Sequence, residues 1–149
     1  MGNIAWEMTH TVETSAARAF AWEYWTTVSN WADPPAEFEF QGPFQAGSRG
    51  VTRFPGQAPI EWFLQKVSPP ATATIAMPLS GALLLFEWRF DDRPDGRSRI
   101  SQRIVLEGEK ADSYRSQVAS AFAANIPDGM NKIARAMTEA HARKTDAHL

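Results

Sequence analysis

Two stretches in the last third of the chain alternate between apolar and polar positions. Over Ala82–Asp91 and Ser98–Glu107 apolar side chains recur at alternate positions, with Gln102 a polar exception, the period of a strand with one face in a core. Pro94-Asp95-Gly96 between them is turn chemistry, so the two predict an antiparallel hairpin. Pairing Phe90 with Ile100 sets Trp88 against Gln102, Phe86 against Ile104 and Leu84 against Leu106. That register makes one face almost wholly apolar and puts Glu87, Arg89, Arg99, Ser101 and Arg103 on the other. A helix is predicted next, over about Asp112–Arg143, with Val118, Phe122, Ile126, Met130, Ile133 and Met137 three or four apart on one side. Pro127 and Gly129 predict a kink near Ile126–Gly129. A sheet with one apolar face, followed by a helix long enough to lie across it, encloses a pocket.

The rest of the chain fits the same plan. Residues Ile4–Glu13 alternate, with Trp6, Met8, His10 and Val12 on one face. Ser15 is placed to cap a helix over Ala16–Trp25. A short second helix over Val28–Trp31 should end at Asp33-Pro34-Pro35. Strands follow at Phe38–Gln41, Arg49–Phe54, Ile60–Val67 and Ala71–Met77, separated by Gly and Pro turns too short for parallel crossovers. The tail beyond about residue 143 is expected to fray. The chain has 149 residues and shows no internal repeat or linker, so a single domain over 1–149 is expected.

Composition narrows the function. The chain is 44% hydrophobic and 21% charged, which is globular composition. Net charge is −2, which argues against nucleic acid or an anionic membrane as partner. No run of apolar residues approaches membrane-spanning length, and Met1–Trp6 lacks the regions of a signal peptide, so a cytoplasmic location is expected. Cysteine is absent, which removes disulfides, thiolate metal ligands and thiol nucleophiles. Six Trp and nine Phe are many for this length, and such rings fill cores or line pockets.

Candidate chemistry is sparse. His10 sits between Met8 and Val12 on an apolar face, where a titratable group is costly unless paired. It reads either as a donor or general acid–base at a cavity wall, or as a histidine satisfied by backbone or water. Gln102, between Ile100 and Ile104, can orient a ligand carbonyl or hydroxyl, or bond to Trp or backbone groups. Trp62 and Trp88 can stack on a flat ligand or fill core. Phe122, Ile126, Met130, Ile133 and Met137 form the expected roof, with the mouth near Trp25–Pro35 and the kink at Pro127. Arg49 and Arg53 share one strand face and would favour an anionic ligand only if that face pointed inward; an edge-facing pair is the expectation. Glu61 and Glu87 form no convincing acid–base pair, and Arg93, Arg97, Arg99 and Arg103 make a mild, solvated basic patch. With His141 and His148 in the tail, no metal site is expected, and no cofactor. The acidic run Asp91-Asp92-Arg93-Pro94-Asp95-Gly96 fails as a calcium loop, with Arg at its third position and Gln102 at its twelfth.

Four stretches carry a family likeness: Glu13–Phe20, Val28-Ser29-Asn30-Trp31, Gly42–Gly50, and Pro94–Ile100 with Ile126–Met130 downstream. In their order, over nearly the whole chain, the sequence resembles the START-like, or Bet v 1-like (SRPBCC), superfamily, and within it the bacterial polyketide cyclase/dehydrase-type proteins. The resemblance implies an α+β helix-grip fold: a curved seven-stranded antiparallel sheet around a long C-terminal helix, with two short helices after the first strand. It also implies an internal cavity for a hydrophobic small molecule such as a lipid, quinone or polyketide, in a monomer or homodimer. Alternatives implied by the likeness are a cyclase, aromatase or dehydratase using His10 and Gln102, and a co-chaperone-like protein-binding module. Fold does not choose among them.

Overall fold

The computed structural model describes residues 4–31 and 36–146, with side chains to residue 144. Strand β1 (Ile4–Thr14) leads into helix α1 (Arg18–Thr26) and a 3-10 turn at Val28–Asn30. A meander follows: β2 (Glu37–Phe40), β3 (Arg49–Arg53), β4 (Ile60–Ser68), β5 (Thr72–Leu79), β6 (Ala82–Asp92) and β7 (Ser98–Glu107). A 3-10 turn at Ala111–Tyr114, helix α2 (Arg115–Phe122) and helix α3 (Asn125–Asp146) complete the described chain. The Asp33-Pro34-Pro35 stop and His148 lie outside the described residues.

The strands form one seven-stranded antiparallel sheet in the order β1-β7-β6-β5-β4-β3-β2. The β6–β7 register is the one the alternation predicts, including Trp88 opposite Gln102 and Phe90 opposite Ile100. Its turn closes at Gly96, whose φ of 81° is a conformation that favours glycine. Strand β1 then adds to the free edge of β7, setting Val12 opposite Ile100 and Met8 opposite Ile104.

Helix α3 and helix α1 cover the inner face of the sheet. Met130, Ala134 and Met137 of α3 share a buried cluster with Val12, Ile100, Phe90, Trp22 and Trp25. On the outer face, Arg103 of β7 reaches Glu7 of β1 at 2.7 Å and Glu87 of β6 at 3.2 Å. The hydrogen bonds to Glu7 and then Glu87 hold the Arg103 guanidinium above its ordinary range.

Two local expectations are corrected. Ser15 does not cap α1: the residue before the helix is Ala17, which offers no side-chain cap. The end of β1 is tied instead to α3. Thr14 and Thr138 hydroxyls lie 2.8 Å apart, and the Ser15 N–H donates to Thr138 Oγ1 at 3.2 Å. The C-terminal helix is also broken rather than kinked, and the break falls at Ala123–Ala124, ahead of Pro127. A proline ring would clash with the carbonyl four residues back, inside a continuous helix. As the third residue of a new helix, Pro127 gives up only an N–H that has no intrahelical partner there.

Candidate functional site

The strand pairing builds a row across the inner face: His10 of β1, Gln102 of β7, Trp88 of β6 and Ala73 of β5. The neighbouring rows are apolar, Val12–Ile100–Phe90 on one side and Met8–Ile104–Phe86 on the other. His10 and Gln102, found separately in the sequence, are therefore direct cross-strand partners. They form a polar pair within an otherwise hydrophobic surface.

That pair is not consumed by the fold. Gln102 is only 4% exposed, and its amide makes no hydrogen bond to a described residue. Yet no sealed side-chain polar atom among the described residues lacks a partner. The amide of Gln102 must therefore border open space, since a sealed, unpaired amide would count among such atoms. The indole N–H of buried Trp25, whose ring lies 4.8 Å from that of Trp88, is in the same condition. His10 is half-buried and has no hydrogen bond or ion pair to a described residue.

Other predicted residues take different places. Trp88, Phe86 and Met77 face the helices but stay only half-buried, as do Ile126 and Ile133 on α3. Phe122 ends α2 and meets Phe86 edge-on, with centroids 5.5 Å apart. Met130 is fully buried in the core cluster. Trp62 lies between Trp31 at 5.6 Å and Phe40 at 5.9 Å, and its N–H donates to Thr52 Oγ1 at 3.0 Å.

Arg49 and Arg53 point outward, and Arg53 is paired with Glu39 at 3.0 Å, so that face offers nothing to an internal anion. Glu61 is exposed, and Glu87 is engaged by Arg103. His141 packs edge-on against Phe20 at 5.0 Å, on a helix that runs on to Asp146. No group of three or more metal-ligating residues occurs among the described residues.

A second feature was not singled out in the sequence. A cleft of about 430 Å³ lies between residues 10–13 of β1 and Asn131, Ala134, Arg135 and Thr138 of α3. His10 lines it as well, so one imidazole belongs to both the inner row and the cleft. The spacing of Asn131, Arg135 and Thr138 puts them on one side of a helix, but in sequence such a face reads as solvated surface. Only the packing of α3 beside β1 gives it a wall to face.

No protein-family model matches the sequence, and no curated protein matches it. Solved structures do match in shape. A point mutant of norcoclaurine synthase from Thalictrum flavum, in complex with a transition-state analogue, superposes with a TM-score of 0.72 over 93% of this chain and 97% of that one, at 13% identity. The chain has the Bet v 1-like, helix-grip fold. A protein of Arthrobacter aurescens shows the same fold at 12% identity and a TM-score of 0.64, covering 95% of this chain and 91% of its own. A protein of Mycobacterium smegmatis does so at 11% identity and 0.62, covering 95% and 98%. At such identities the likeness carries the helix-grip architecture and no residue roles. No helix among the described residues is long and apolar enough to cross a membrane.

Proposed function

We propose that the protein binds an apolar, aromatic small molecule between the inner sheet face and the C-terminal helices. One observation carries this reading: a nearly buried, unpartnered amide at Gln102 beside the half-buried ring of Trp88. An amide that borders open space and bonds to no protein group keeps its N–H groups and its carbonyl available to a ligand. A ligand carbonyl or hydroxyl would supply the partner, and Trp88, Phe86, Phe122, Ile126 and Ile133 would cover the ligand's apolar body. Met130 and Trp62 would stand behind these as packing. Another norcoclaurine synthase structure of this fold, at 11% identity and a TM-score of 0.70, holds dopamine and hydroxybenzaldehyde, so the architecture can take aromatic guests.

Native mass spectrometry of gently purified protein, with identification of any co-purifying compound, tests this reading. An aromatic, quinone, lipid or polyketide adduct at one per chain is expected. A high-resolution experimental structure with a solid interior around Gln102 would remove the proposal.

A second reading is favoured by the cross-strand pairing of His10 with Gln102. In a cyclase, aromatase or dehydratase acting on a poly-carbonyl substrate, His10 would move the proton and Gln102 would steady the enolate. Full turnover of a verified substrate by His10→Ala protein would eliminate that role. The protein-binding alternative has little surface to use. Among the described residues the large hydrophobic side chain left exposed is Ile4, at 50%.

A further inference from the structure

The cleft between β1 and α3 is lined by donors that nothing in the protein uses. Arg135 presents five N–H groups and no acceptor, and it makes no ion pair or hydrogen bond with a described residue. Asn131, one turn earlier on the same helix face, is equally unengaged, and so is His10 on the opposite wall. The acidic residue at the cleft, Glu13, does not neutralise this wall. Its carboxylate is turned to Arg93 at 3.5 Å and Arg99 at 3.9 Å. Thr138 is committed too, donating to the Ala134 carbonyl at 3.0 Å while its oxygen faces Thr14 and the Ser15 N–H.

An apolar ligand alone would leave that donor set idle. Because His10 pairs with Gln102 in the inner row and also lines the cleft, a molecule lying along Trp88 and Gln102 could continue past it and emerge beside Arg135. We propose that the ligand is amphipathic, with a compact anionic oxygen group of the carboxylate class held in this cleft by Arg135 and Asn131. The exposed position of Arg135 suits such a group, which keeps part of its hydration there while the apolar body leaves water. The overall charge of −2 gives no general attraction for anions, so the preference is local to the cleft. This inference rests on the ligand-binding reading above.

The test uses two fluorescent probes with the same aromatic body: 1-anilinonaphthalene-8-sulfonate and uncharged N-phenyl-1-naphthylamine. Wild-type protein is expected to bind the sulfonate about tenfold more tightly, the scale of a charge-assisted contact. Arg135→Gln should remove most of that preference and leave the neutral probe's affinity unchanged, with circular dichroism confirming the fold. Arg49→Gln, on the exposed face of β3 at the other end of the sheet, should retain the preference. Equal affinity for both probes in wild type, or a preference that survives Arg135→Gln, overturns the anionic head group alone. If neither probe binds, the pocket reading falls and takes this inference with it.

Discussion

Two ends of one sheet face use the same kind of residue to opposite effect. At the β2–β4 end, Trp62 stacks between Trp31 and Phe40, Phe38 meets Trp31 edge-on, and the indole N–H groups find partners. Trp31 donates to the Trp25 carbonyl at 2.7 Å, and Trp62 to Thr52 at 3.0 Å. Gly50 has no side chain because the Trp62 ring occupies its space; a Cβ there would lie 2.2 Å from the ring. At the β1–β7–β6 end, Trp88 is half-buried, Gln102 has no partner, and His10 opens onto a cleft. A ring among satisfied donors is core. A ring beside an idle amide is a candidate wall, and hydropathy alone does not tell the two apart.

The contrast can be broken most forcefully at the sealed end. Trp62→Ala should cost about 3–5 kcal/mol of stability, read by urea unfolding, since a large ring is lost and Thr52 loses its donor. Gly50→Ala should cost about 1–3 kcal/mol by forcing that ring aside. A loss below about 1 kcal/mol for Trp62→Ala would mean that this end is not closed core. Gln102→Leu should behave in the opposite way. Stability should stay within about 1 kcal/mol of wild type or rise, because no protein hydrogen bond is lost. Affinity for a neutral aromatic probe that accepts a hydrogen bond should fall about threefold to tenfold, the worth of one such bond. Strong destabilisation by Gln102→Leu, with binding untouched, would make Gln102 a structural residue and erase the difference between the two ends.

Much of the fold was legible because its signals are local. The β6–β7 hairpin could be registered from alternation and a Pro-Asp-Gly turn, since a one-residue slip would move every apolar side chain to the wrong face. The outward turn of Arg49 and Arg53 follows from the same period, once Gly50 and Thr52 are seen to face the rings. The helix ends were less legible. Ser15 has the chemistry of a cap, but the Thr14–Thr138 contact decides how the chain leaves β1. Pro127 marks a discontinuity without saying on which side it falls, and the helix restarts ahead of it.

The sequence by itself determined the strand faces, the hairpin register, the apolar stripe of the final helix and the scarcity of inward polar groups. Each is set by periodicity within a few residues, where backbone geometry dictates which way a side chain points. Tertiary structure alone decided that β1 lies against β7, which makes His10 and Gln102 neighbours, and that α3 runs beside β1, which turns Asn131 and Arg135 toward a cleft. Those pairings join residues far apart along the chain, and no local period encodes them. The same holds for satisfaction: whether a tryptophan or glutamine is core or site depends on which partner the fold brings to its polar atoms.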